Sequence, residues 1–171
     1  ETEWEKHPAR YCLCEIVNVQ DESLEIEPIH RVMFGVDKEE LFTEAKSYYK
    51  AKGCSFCVEE GVSEKPFADN DTHCFAFCSK DGVGMIKVNH PAWGIAVATL
   101  QNFLDEFLRS HRDCKIDYIH GEDVVDSLGK KEGNMGFLLP DIHKEDLSQA
   151  SLLHLRQDMC RHPFCCTDAE Q

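Results

Sequence analysis

The stretch HCFAFCSKDGVGMIKV, His73 to Val88, decides the fold class. Two runs rich in aromatic, aliphatic and small residues flank Lys80-Asp81-Gly82. Asp-Gly in that setting favours a tight turn, because glycine tolerates the positive φ that matches the twist of paired strands. The stretch therefore reads as a β-hairpin. Upstream, CSFCVEE (Cys54 to Glu60) alternates in the same manner and reads as a strand. The polar segment EGVSEKPFADND between them is a loop.

Helices flank this β region on both sides. VDKEELFTEAKSYYKAKG (Val36 to Gly53) carries an apolar stripe at Leu41, Phe42, Ala45, Tyr48 and Tyr49. Asp37 is its expected N-cap, with Glu40 completing a capping box, and Gly53 sits where a C-terminal glycine belongs. The longest helix runs from Ala92 to Ser110, with Trp93, Ala96, Val97, Leu100, Phe103, Leu104 and Phe107 at helical spacing.

Towards the N-terminus, IHRVMF is a strand, with Pro28 at its start or edge because proline cannot donate to a central ladder. YCLCEIVNV (Tyr11 to Val19) reads as a strand buried on both sides, or nearly so, followed by a turn at Asp21 to Ser23. Towards the C-terminus, CKIDYIHG is a strand, EDVVDSLG a short helix closed by Gly129, and NMGFLLP another strand. Strand, helix, strand at this spacing suits a compact parallel crossover. HKEDLSQASLLHL is a last amphipathic helix. The expected fold is α+β, a mixed, largely antiparallel sheet packed by two main helices, with a C-terminal strand-helix-strand unit. One domain is expected over residues 1–154, with a poorly ordered tail over 155–171.

Charge and composition narrow the function. The chain of 171 residues has 32 acidic and 18 basic side chains, a formal charge of −14. That field repels phosphate backbones and anionic lipid, so nucleic acid and membrane surfaces are not expected partners. No apolar run is long enough to span a bilayer and no signal segment opens the sequence, so a cytoplasmic location is expected. The start at Glu1, without an initiator Met, suggests processing or a fragment.

Ten cysteines raise disulfides and zinc. A reducing compartment disfavours the first. For the second, Cys54-x-x-Cys57 and Cys74-x-x-x-Cys78 resemble two halves of a ribbon-type site. Strand alternation would put Cys54 and Cys57 on opposite faces, and no Gly or Pro between them makes a knuckle turn. No metal site is expected.

HPARYCLCEIVN, EPIHRV, TLQNFLDEFL, IDYIHGEDVV and NMGFLLP, in this order, resemble the second half of a bacterial family catalogued as domain of unknown function 1015, loosely labelled SpoOJ/ParA/ParB/RepB-like. The resemblance runs from about His7 to Leu147. It implies a C-terminal fragment of a longer soluble protein, whose missing N-terminal half would be its first partner. That missing half is similar to the ParB and sulfiredoxin-like superfamily. The complete protein would then bind a nucleotide or a phosphorylated small molecule and act as a small-molecule phosphotransferase, the fragment alone being inactive. No P-loop and no G-x-G-x-x-G supports nucleotide binding from within this chain. LRQDMCRHPFCCTDAEQ (Leu155 to Gln171) departs from the family pattern and looks like a shifted frame. The alternatives are a non-catalytic scaffold or interaction domain, and a ParB-like association with DNA, which the charge opposes.

Two places carry candidate site residues. In IEPIHRVMF, alternation puts His30 on one face among Ile26, Val32 and Phe34, and Arg31 on the other with Ile29 and Met33. A buried arginine needs a carboxylate or a phosphate, so Arg31 is either half of an internal ion pair or a ligand contact. In IHGED, His120 ends a strand just before a helix. Gly121, Glu122 and Asp123 would offer backbone amides to an anion at the helix N-terminus, although the acidic pair also simply complements the helix dipole. His30 and His120 are the acid–base candidates. Arg10, near His7, is a further candidate anion contact. Together they would line a site where the Ile116–His120 strand and the Glu122 helix approach IHRV.

Overall fold

The computed structural model describes residues 13–16, 18 and 26–142. The hairpin stands at its centre as β4 (Thr72–Ser79) and β5 (Gly82–Asn89), with Ser79 opposite Gly82. The other elements are β1 (His30–Phe34), α1 (Lys38–Ala51), β2 (Ser55–Glu60), β3 (Phe67–Ala68), α2 (Ala96–Ser110), β6 (Lys115–Ile119), α3 (Glu122–Gly129) and β7 (Asn134–Leu138). They build one seven-stranded sheet in the order β2-β5-β4-β7-β1-β6, with the short β3 pairing β4. Every hydrogen-bonded neighbour is antiparallel.

The expected crossover is realised with a strand inserted in it. β6 and β7 both pair antiparallel with β1, one on each side, so they run parallel to each other without touching. α3 connects them, which makes this a split β-α-β unit. Strand order of this kind is set by which ladders close in three dimensions, and the local sequence does not encode it.

The sheet is covered on both faces. Met33, Phe75, Phe77, Ile86, Val88 and Phe137 point towards α1 and α2, where they meet Leu41, Tyr49, Leu100, Leu104 and Phe107. Burying one such side chain contributes about 1.5–3 kcal/mol. Val32 and Cys78 point the other way and pack on Val125 of α3. α3 lies so close to β7 that a Cβ on Gly136 would stand 2.7 Å from Cys78 Sγ and from Val125 Cγ1. Gly129, expected as a helix stop, serves the same contact: its Cβ would stand 2.5 Å from Cys78 Sγ, while Lys130 caps the helix in the αR region.

Punctuation follows the sequence closely in α1. Asp37 accepts from the backbone N–H of Glu40, and Gly53 follows the last turn with φ of 78°. α2 begins later than its apolar spacing suggests, at Ala96, because the segment around Pro91 and Gly94 takes bends instead. Trp93 still joins the core, stacked on Tyr48 at 6.1 Å.

The strand expected over Tyr11 to Val19 is corrected where the structure describes it. Residues 13–16 and 18 belong to no strand, and Leu13 and Ile16 are 103% and 96% exposed. An apolar run alone does not make a strand; a neighbour must pair its N–H and C=O groups, and no described strand does so. The last expected helix and the tail lie outside the described residues.

Candidate functional site

β1 presents its two polar residues to opposite faces of the sheet. On the α3 face, His30 pairs in register with Ile119, so the start of β1 lies beside the end of β6. His30 is 3% exposed. The backbone N–H of Leu139, just beyond β7, donates to its Nδ1 at 3.1 Å. A backbone N–H can only donate, so Nδ1 carries no hydrogen and the neutral ring is protonated on Nε2. Among the described residues the ring makes this one hydrogen bond, at Nδ1. Burial, then the charges of Arg31 and His120, push the imidazole down to about 4, against a smaller opposing pull from Asp141.

His120 follows β6 directly and is exposed. Asp141 pairs with Lys65 of the β2–β3 loop at 2.7 Å, and Glu122 adds to the field on that lysine. Gly121, with φ of 86°, is the N-cap of α3, and no side chain caps the helix. Glu122 and Asp123 occupy its first turn, exposed, where their charge complements the helix dipole. His30, His120, Gly121, Glu122, Lys65 and Asp141 thus converge where β1 begins and β6 and β7 end.

Arg31 lies on the other face, 2% exposed. Its guanidinium sits 4.5 Å from the centre of the Tyr118 ring, its register partner on β6. Nε donates to Gln101 Oε1 at 2.8 Å, and Nη1 to the carbonyls of Ile29 and His30. Gln101 passes the link on: its Nε2 donates to Asp105 Oδ1 at 2.9 Å and to the Tyr118 hydroxyl at 3.2 Å. Every acceptor that Arg31 touches directly is neutral, and Nη2 has no hydrogen bond among the described residues. Burial lowers its pKa to about 10, with Tyr118 and Asp105 acting in the opposite direction. It remains a cation at neutral pH.

The predicted site residues therefore fall into two groups. His30, His120, Gly121, Glu122 and Asp123 share one end of the α3 face, while Arg31 stands behind them on the α2 face. Arg10 lies outside the described residues. Sequence reasoning missed Gln101, Tyr118, Lys65 and Asp141. Gln101 had a readable signal: it interrupts the apolar stripe of α2 between Val97 and Leu104, and a buried polar residue there requires a partner. Tyr118 and Asp141 become visible only through strand register.

The cysteines do not assemble a metal site among the described residues. Cys54 is buried and Cys57 exposed, on opposite faces of the β2 segment, and Cys74 is buried on the next strand but one. The described residues do gather one other set able to share an ion, Glu40, Glu44 and His111, at the far end of β1.

A family model described as "Protein of unknown function (DUF1015)" matches residues 1–107. The chain belongs to that family. The DUF1015 match takes in His30, Arg31, Gln101 and Asp105, while Tyr118, His120 and the motifs IDYIHGEDVV and NMGFLLP lie beyond it. No curated protein and no solved structure matches the chain. No helix among the described residues is long and apolar enough to cross a membrane.

Proposed function

We propose that this DUF1015 chain binds an anionic small molecule of the phosphorylated class, with Arg31 as the charge that holds it. One observation carries the reading. Among the described residues, a guanidinium that is 2% exposed donates only to neutral acceptors, through Nε and Nη1. A buried cation in that condition is stabilised by an anion, and a phosphate offers the matching pair of oxygens. His120, exposed at the strand end, is the acid–base candidate. His30 is held neutral by burial first, with its Nδ1 accepting the Leu139 N–H, and serves as a hydrogen-bond donor through Nε2 rather than as a base near neutral pH.

The finer resemblance completes the proposal. A ParB-like N-terminal half would supply the rest of a nucleotide site, making the complete bacterial, cytoplasmic protein a small-molecule phosphotransferase. One domain over residues 1–154 would then be its C-terminal part.

A scaffold role is the second reading, and a specific contact favours it. Gln101 links Arg31 to Asp105, so the charge is met internally at one remove. A thermal-shift screen against nucleotides and phosphorylated metabolites separates the two. Binding predicts a melting point that climbs with concentration, by mass action worth about 2.7 kcal/mol at a hundred times Kd. No response across the screen, up to millimolar concentrations, contradicts it.

A further inference from the structure

Glu40 and Glu44 lie on one face of α1, facing the C-terminal end of α2. His111 caps α2 there, with φ of −114° and ψ of 76°. Its ring stacks on Phe107 at 3.9 Å and 8°. Nδ1 lies 2.9 Å from the carbonyl oxygen of Phe107. A carbonyl can only accept, so Nδ1 carries the hydrogen and the neutral ring turns its lone pair outward on Nε2. Metal-bound histidines are oriented by a second-nitrogen contact of this kind.

Nε2 stands 3.4 Å from Glu40 Oε1 and 3.6 Å from Glu44 Oε1. Charge-assisted N–H···O bonds are shorter, about 2.7–2.9 Å. Two ligand atoms each about 2.1 Å from a tetrahedral ion stand about 3.4 Å apart, close to the two distances from Nε2. All three donor atoms lie within 4.8 Å of one another.

We propose that Glu40, Glu44 and His111 bind a divalent cation of the Zn2+ class, with a fourth position open to water or a ligand. One imidazole with two carboxylates suits Zn2+ better than Mg2+ or Ca2+, which favour all-oxygen sets. The site lies at the surface: the side chains of His111, Glu40 and Glu44 are 20%, 54% and 42% exposed, so an ion can enter. The two carboxylates supply the charge a divalent ion neutralises, and the net charge of −14 draws cations towards the chain. Cys114 and Asp113 are close by, but the Cys114 thiol donates to the Gly35 carbonyl at 3.0 Å and is not among the three donors. The site is independent of Arg31, on separate side chains.

The test is a Zn2+ titration of the reduced full chain, comparing wild type with His111→Ala and Glu44→Gln, and X-ray absorption at the zinc edge. Wild type should bind one ion with a nitrogen and oxygen shell at about 2.0–2.2 Å and no sulfur at about 2.3 Å. Each variant should keep its circular dichroism and lose about tenfold or more in affinity. If one variant fails to fold, the other decides. A sulfur shell, a folded variant that binds like wild type, or no binding by wild type at millimolar Zn2+ overturns the proposal; those results would leave protonated His111 as an ion-pair partner of the two glutamates.

Discussion

Replacing His30 with asparagine tests the most exacting claim about β1. Asparagine places Oδ1 about where His30 holds Nδ1, so the Leu139 N–H keeps an acceptor while the titrating ring is gone. In the unfolded chain His30 titrates near 6.5; in the fold its pKa is lowered to about 4. Between those values the unfolded chain takes up a proton that the folded chain refuses, so stability falls as pH drops through that window. A displacement of that size is worth about 3 kcal/mol. The charges facing the ring are Arg31 beside it on β1, His120 after β6 and Asp141 after β7. They remain in the variant, so their contribution largely cancels in the difference. Urea unfolding of both proteins at pH 7 and at pH 4 gives the comparison. Wild type should lose about 3 kcal/mol relative to His30→Asn. A difference that stays constant within about 0.5 kcal/mol would show that burial at the start of β1 does not hold His30 neutral.

Packing, capping and the surface cluster each give a further outcome. Gly136→Ala should destabilise by about 1–3 kcal/mol in urea unfolding, with Cys78→Ala recovering part of the loss, because the new methyl meets Cys78 Sγ at 2.7 Å. Gly129→Ala should resist that rescue, since its methyl also meets the backbone nitrogen of Gly136 at 2.7 Å. Asp37→Ala should lower stability by about 1 kcal/mol through loss of the Glu40 N–H cap, measurable as a lower urea midpoint at unchanged slope. In the Zn2+ titration, His111→Ala should weaken binding while leaving any response to phosphorylated ligands intact, which separates the two sites.

Much of the fold was legible because its elements are short-range objects. The Asp81-Gly82 turn, the Asp37 cap and the α1 and α2 stripes are each set by neighbours within a few turns of chain. What was not legible is non-local. β1 sits between β6 and β7 because its ladders close there, and no periodicity announces that order. Gly129 reads as a helix stop until Cys78, from a distant strand, is seen against it. Leu13 and Ile16 belong to an apolar run that reads as a strand and lie exposed, because pairing needs a partner that the run does not supply. The candidate site divides in the same way. Alternation places His30 and Arg31 on opposite faces, but it does not announce that Gln101 of α2 would meet the Arg31 guanidinium. Glu40 and Glu44 are one turn apart in sequence, yet the histidine between them comes from the far end of α2.

Arg31→Met tests the central claim most directly, because methionine keeps apolar bulk and removes the charge. If the guanidinium awaits an anion, its loss removes an uncompensated buried charge, and replacing such a group by a packed apolar one is neutral or stabilising. The variant should then melt at or above the wild-type temperature, and phosphorylated ligands that raise the wild-type melting point should no longer raise it. If Arg31 instead belongs to an internal network, Gln101 Oε1 loses its donor and stability drops by about 1–3 kcal/mol. That drop, with ligand response unchanged in the folded remainder, would contradict the account.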